Sequence, residues 1–219
     1  FFLNENIMNI IIDRFNKIKG NIGNSPTNII AVSKTFSLDH IKPLIDHGHL
    51  HFGENKVQEA ETKWSIIKSE KKEINLHMIG KLQSNKAKKA IQIFDYIHSL
   101  DSQKLAESLA KYENELQKKI KYFIQVNVGL ESQKSGINPE LLDDFYSFCV
   151  NEKKLNIIGL MAIPPNDKNT KNHFKYLHEA GASLGLNELS MGMSSDYQQA
   201  LEHKTTFVRI GSAIFGDRN

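Results

Sequence analysis

The stretch Ile29-Ile30-Ala31-Val32-Ser33-Lys34-Thr35 decides how this chain is read. Four apolar residues and one serine lead into a lysine. The run is short, largely β-branched and bounded by polar residues, the pattern of a strand buried on both faces in a parallel sheet. Such a strand needs parallel neighbours and covering helices. The lysine at its carboxyl end is either solvated just past the sheet or reaches into a pocket. In a pocket an ammonium is costly unless paired or neutralised, and the amine becomes a candidate Schiff-base nucleophile. The stretch alone favours the solvated lysine; the rest of the chain reverses that balance.

Outward from this strand, short apolar runs alternate with helical patterns. Upstream, Ile7, Ile11, Phe15 and Ile18 recur at helical spacing and predict an opening amphipathic helix ended by Gly20 and Gly23. The expected strands are Asn28–Ser33, Leu50–Phe52, Leu76–Ile79, Tyr96–Leu100, Tyr122–Val128, Ile157–Ala162, Glu188–Ser190 and Phe207–Ile210. Helices are expected near Leu38–His47, Lys56–Ser69, Ser84–Ile91, Ser102–Leu116, Pro139–Glu152, Lys171–Leu184 and Ser195–Glu202, with a short closing turn at Ser212–Phe215. Pro139 and Gly48 suit a helix start and a helix end, whereas Pro43 lies awkwardly inside its helical pattern. Eight β/α steps in 219 residues point to a closed barrel rather than an open sheet. The fold class expected is α/β, a single (β/α)8 TIM-type barrel with an extra N-terminal helix, and residues 1–219 form one domain.

The formal net charge of +3 is too small to imply a nucleic-acid or membrane partner. Lysine supplies 25 of the 28 basic residues, which makes Arg14, Arg209 and Arg218 individually interesting. The lysine-rich run from Lys81 to Lys89 lacks interleaved aromatics and arginines and reads as a solvated helix face. Cys149, the one cysteine, excludes an intramolecular disulfide and fits a buried thiol in a reducing compartment. No apolar run approaches the ~18 residues of a membrane span. The Phe1-Phe2-Leu3 start has neither a basic head nor a small-residue cleavage site, so a cytoplasmic location is expected.

In barrels of this kind the site gathers at the carboxyl ends of the strands. Read in order, those ends are Lys34, Gly53-Glu54-Asn55, Gly80-Lys81, Ser99 and Asp101, Asn127, Met161, Ser190 through Ser194, and Arg209-Ile210-Gly211-Ser212. The loops after strands seven and eight commonly hold a phosphate, and here they read Ser190-Met191-Gly192-Met193-Ser194-Ser195 and Gly211-Ser212. Glycine permits close backbone approach and serine donates a hydroxyl. Arg209 lies within an apolar strand, and a buried guanidinium needs an acceptor, either a structural group or a ligand.

These segments together resemble one family. The matching motifs are Ala31-Val32-Ser33-Lys34-Thr35, Phe52-Gly53-Glu54-Asn55 with Gln58-Glu59, and His77-Met78-Ile79-Gly80-Lys81-Leu82-Gln83-Ser84-Asn85-Lys86. They continue with Gln125-Val126-Asn127, Lys134-Ser135-Gly136, Gly159-Leu160-Met161, Leu189–Ser194 and Val208–Gly216. In this order they resemble the pyridoxal phosphate homeostasis proteins, whose fold is that of the alanine racemase N-terminal barrel. The resemblance implies pyridoxal 5'-phosphate as cofactor and assigns roles. Lys34 matches the lysine that forms the Schiff base. Ser194, Gly211 and Ser212 match a phosphate cradle, Ser212 standing where many relatives carry threonine. Arg209 matches an arginine facing the pyridine nitrogen, and Asn55 and Met161 match positions near the cofactor. The Gly80–Lys86 segment is either a tight turn with a helix cap or part of the ligand site.

Two classes of function follow. The first is a binding protein for intracellular pyridoxal phosphate (vitamin B6) homeostasis, holding the cofactor as a Schiff base without catalytic turnover. Its partners would be the cofactor, apo-enzymes that use it, and free amino acids. The second is a racemase-like enzyme. Racemisation needs acid/base groups on both faces of the substrate carbon, and in alanine racemases one comes from a second, β-rich domain. The sequence ends just after the last strand and its short helix, leaving no residues for that domain. Tyr197 and His77 are the remaining candidates for an opposed base. An arginine at the ring nitrogen also weakens the ring as an electron sink. The non-enzymatic reading is therefore preferred, with no nucleic-acid or membrane partner.

Overall fold

Strand β1 (Asn28–Val32) shows how the sequence builds the molecule. Side chains alternate across a strand. Ile29 and Ala31 join the large core between strands and helices, whereas Ile30 joins a second cluster with Tyr96, Phe123, Met161 and Phe207. That second cluster takes one residue from each of five strands and fills the barrel's interior. A computed structural model describes residues 2–133 and 135–217, and side chains from residue 8 onward. Arg218 and Lys134 lie outside the described residues.

The other strands are β2 (His51–Glu54), β3 (Asn75–Met78), β4 (Tyr96–Leu100), β5 (Lys121–Gln125), β6 (Ile157–Met161), β7 (Glu188–Met193) and β8 (Phe207–Ile210). All pair in parallel with their sequence neighbours, and β8 closes on β1 with Asn28 opposite Phe207 and Ala31 opposite Ile210. The eight expected strands are all present, and their ends differ by up to three residues. β5 stops at Gln125 rather than Val128, and the other three-residue difference, at β7, lies beside the site. β7 runs on past its expected end at Ser190 to Met193, so Met191, Gly192 and Met193 belong to the strand and not to the following loop. Gly192, at φ +95, sits where the β7–β8 register shifts, and that bulge carries the strand past its expected end.

Helix α1 (Phe2–Ile22) precedes β1 and packs on its Ile11, Phe15 and Ile18 face, as the spacing predicts. It runs through Gly20 and ends at Gly23, whose φ of +62 suits a helix terminus. The outer layer continues with α2 (Leu38–Asp46), α3 (Val57–Glu70), α4 (Ala87–Ile93), α5 (Gln103–Leu116), α6 (Leu142–Ser147), α7 (Thr170–Ser183), α8 (Tyr197–Glu202) and α9 (Ser212–Phe215). α2 tolerates Pro43 because Ile41, Leu44 and Ile45 are buried around it. The helix expected over Pro139–Glu152 is a composite: a 3-10 turn, α6, then a π turn from Phe148 to Glu152. Cys149 is fully buried there, and burial pushes its thiol up to about 12.

Candidate functional site

A cavity of about 610 Å³ opens at the carboxyl ends of the strands. Lys34, Asn55, Ser194, Arg209, Gly211 and Ser212 all line it. Strand alternation brings them there. Val32 and Lys34 continue the inward face of Ile30, Asn55 continues that of Gly53, and Gly211 continues that of Arg209. Val32, Ile79 and Ile163 supply apolar wall, and Met193, Ser195, Gly216 and Asp217 complete the rim.

Lys34 is half-buried in the turn after β1, not in the strand. A network of buried charges holds that turn. Glu54 is fully buried, and its Oε1 accepts from Ser33 Oγ (2.7 Å), Lys63 Nζ (2.9 Å) and Trp64 Nε1 (2.9 Å). Lys63 Nζ also donates to the Ser33 carbonyl (2.8 Å) and to Glu59 Oε1 (3.0 Å). Glu59 Oε1 in turn accepts from the Thr35 backbone N–H at 2.5 Å. Thr35 has φ +68, a left-handed conformation unfavourable for a β-branched residue. The turn that carries the lysine is thus clamped on both sides of it.

Asn55 is held differently. A Cβ on Gly80 would lie 2.4 Å from the Asn55 carbonyl oxygen and 2.7 Å from its Cα. Only glycine lets the turn after β3 approach so closely. The Gly80–Lys86 segment is therefore a packed turn with Leu82 buried, followed by a 3-10 turn at Ser84–Lys86. Of its continuation, Lys88 pairs with Glu115 and Lys89 with Glu61 at 2.8 Å, both exposed.

Ser194 occupies the turn after β7, where Asp196 Oδ1 accepts from the Met193 N–H at 2.6 Å. Gly211 precedes α9, and its carbonyl accepts from the Ile214 and Phe215 N–H groups, both at 2.9 Å. Arg209 is 4 % exposed. Its NH1 donates to the Ser190 carbonyl and to Ser190 Oγ, both at 2.7 Å, and its NH2 to the Ala162 carbonyl at 2.9 Å. Burial lowers its pKa to about 10, opposed by the Asp196 charge, so it stays a cation at neutral pH.

Other expected residues lie elsewhere. Met161 is fully buried within the barrel interior and does not line the cavity. Ser99, Asp101 and Asn127 stand at strand ends on the β4–β5 side, outside the cavity lining. Asn127 is occupied by the Glu131 backbone, and burial raises the Asp101 pKa. His77 is fully buried inside the barrel, and the Tyr197 hydroxyl accepts from Asn21 Nδ2 at 3.0 Å, so neither faces the cavity as an opposed base. Sequence reading missed the Glu54–Lys63–Glu59 clamp and the role of Ser190. The signal for Ser190 was available: it is the small polar residue on the inward face of β7 beside a buried arginine.

Comparison with known proteins agrees with this geometry. Residues 9–219 match the family model described as alanine racemase, N-terminal domain. A pyridoxal phosphate homeostasis protein of Aquifex aeolicus is 34% identical over 207 residues, covering 90% of this chain and 89% of the relative. The Escherichia coli K12 protein of the same name is 33% identical over 218 residues, with 94% and 93% covered. The solved structure of PipY from Synechococcus elongatus with PLP bound is 35% identical with a TM-score of 0.85, and covers 94% of this chain and 100% of that one. Alanine racemase of Clostridium difficile, 14% identical at a TM-score of 0.75, shares the barrel fold over 57% of its own length.

Proposed function

Because the chain belongs to the pyridoxal phosphate homeostasis proteins, built on the alanine racemase N-terminal domain, we propose that it binds pyridoxal 5'-phosphate at the mouth of its barrel and serves intracellular homeostasis of that cofactor. Residues 1–219 act in this reading as a single cofactor-binding domain. One observation carries it: a single cavity collects a lysine, three serines, a glycine turn and a buried guanidinium.

That donor set fits the cofactor. Ser194, Gly211 and Ser212 suit a phosphate, since hydroxyls and close backbone approach both serve an anion. Val32, Ile79 and Ile163 suit a planar ring. When bound, pyridoxal phosphate supplies an aldehyde that condenses reversibly with primary amines. Lys34 presents such an amine at the end of a clamped turn. Arg209 carries only donors and does not lose its proton in practice. Facing a pyridine nitrogen, it leaves that nitrogen unprotonated and disfavours carbanion chemistry at a bound amino acid. Asn55 stands beside the site, and Met161 supports the wall from within the barrel.

Neither His77 nor Tyr197 faces the cavity to move a proton on the second face of a substrate. The protein then holds and hands on its cofactor, exchanging it with free amino acids and apo-enzymes, without turning amino acids over. The test follows solvent deuterium at the α-carbon of alanine by NMR with the loaded protein. No exchange, with delivery of the cofactor to an apo-enzyme, is expected. Exchange on the order of 1 s⁻¹, lost in Lys34→Ala, would establish a racemase-like enzyme instead.

A further inference from the structure

A continuous line of side-chain hydrogen bonds leads from Arg209 down through the barrel interior. Arg209 NH1 donates to Ser190 Oγ at 2.7 Å. Ser190 Oγ lies 2.8 Å from His98 Nδ1. His98 Nε2 lies 2.9 Å from His77 Nδ1, and His77 Nε2 lies 3.0 Å from His51 Nδ1. Ser190, His98 and His77 have no exposed surface. His77 stacks on Tyr96 with ring centroids 4.2 Å apart, and His98 stacks on Phe123 at 4.3 Å, which fixes both rings. His51 is half-buried and lines a separate cavity with Phe15, Thr27 and His49.

The chemistry of the first joint sets all the others. A guanidinium only donates, so Ser190 Oγ accepts from Arg209. The one hydroxyl proton of Ser190 then has His98 Nδ1 as its acceptor. The His98 proton therefore sits on Nε2 and is given to His77 Nδ1. The His77 proton sits on Nε2 and is given to His51 Nδ1, which leaves the His51 proton on Nε2. The reverse order makes Ser190 accept from both neighbours and strands its own proton in a dry interior, at the cost of an unsatisfied donor. A second proton on His98 or His77 either sets two donors face to face or, with the serine hydroxyl turned away, strands the Ser190 proton. Burial lowers the pKa of all three histidines, in keeping with neutral rings.

We infer that Ser190 and His98 are positioning residues for Arg209, and that the guanidinium imposes one proton order on His98, His77 and His51. The functional part rests on the reading of Arg209 as the ring-nitrogen wall of the cofactor site. Ser190 presents two acceptors to NH1, its carbonyl and its hydroxyl oxygen. His98 keeps the hydroxyl oxygen in its accepting role by taking the hydroxyl proton. The order originates at the arginine end and propagates away from the site. Perturbing the far end should therefore leave the near end ordered, and perturbing Ser190 should not.

The experiment uses the full chain with ¹⁵N-labelled histidine, first without cofactor, then titrated with pyridoxal phosphate by absorbance. Long-range ¹H–¹⁵N correlations at pH 7.5 should show His51, His77 and His98 neutral and protonated at Nε2. Ser190→Ala should lose the single Nε2–H form of His98 and weaken cofactor binding about tenfold, with Ser190→Thr restoring both. His51→Phe should keep the His98 proton on Nε2 and change affinity less than about twofold. A proton on Nδ1 of His98 or His77 in the unmutated protein would overturn the inference, and that measurement needs no variant. So would a folded Ser190→Ala protein that binds as tightly as the parent. If the unmutated protein binds no pyridoxal phosphate, the reading of the cavity fails, while the imidazole protons still decide the order of the chain.

Discussion

Lys34 owes its place to residues that never enter the cavity. Glu54 gathers Ser33, Lys63 and Trp64 on one carboxylate oxygen, and Glu59 holds the Thr35 amide on the other side of the lysine. Both Glu54 and Lys63 are buried, with side-chain exposures of 0% and 8%. Removing one member of such a pair leaves the other as an uncompensated buried charge. Glu54→Ala should destabilise the fold by about 3–5 kcal/mol, measured by urea unfolding. It should also release the Lys34 turn and weaken cofactor binding. Unchanged unfolding would show that the clamp contributes nothing. At this scale the lysine itself was legible in the sequence, because an apolar run leading through one serine to a lysine is a local pattern. The clamp was not, since its carboxylates lie on the next strand and helix and only the closed barrel brings them under the turn.

At the scale of elements, close backbone approach does much of the positioning. Gly80 lets the turn after β3 rest on Asn55, and Gly192 permits the bulge that extends β7 toward Ser194. A Cβ at position 80 has backbone as its obstacle, so nothing nearby yields cheaply. Gly80→Ala should cost about 1–3 kcal/mol of stability and reduce cofactor affinity through Asn55, read by thermal unfolding and absorbance titration. Affinity equal to the parent would separate Asn55 from the site. The order and type of the elements were readable because each strand is a short apolar run and each helix has its own period. Strand ends were less readable. The sequence of β7 turns glycine- and serine-rich before the ladder with β8 ends, so a loop was expected where a bulged strand continues. Met161 illustrates the same difficulty: it stands at a strand end, yet its side chain belongs to the barrel interior.

Inside the barrel the buried histidines stay neutral beside the charged Arg209. His77 and His98 are fully buried, and burial holds both pKa values well below 6.5. Between those values and 6.5 the unfolded chain binds protons that the folded chain refuses. Stability is therefore complete above about pH 6.5 and falls as the pH drops, by up to about 1.4 kcal/mol per pH unit for each fully shifted histidine. Urea unfolding at pH 7.5, 6.5, 5.5 and 5.0 should show this decline. His98→Phe, which keeps the ring stack on Phe123, should flatten the slope by about one proton. A pH-independent midpoint over that range would mean that the interior histidines already carry protons when folded. Among the described residues no helix is long and apolar enough to cross a membrane. The central claim remains that this barrel takes pyridoxal phosphate on Lys34. Borohydride reduction of the loaded protein followed by peptide mapping tests it most directly. The account predicts a stable pyridoxyl label on the peptide carrying Lys34, lost in Lys34→Ala. Label confined to Lys81 or another lysine outside the cavity would contradict it.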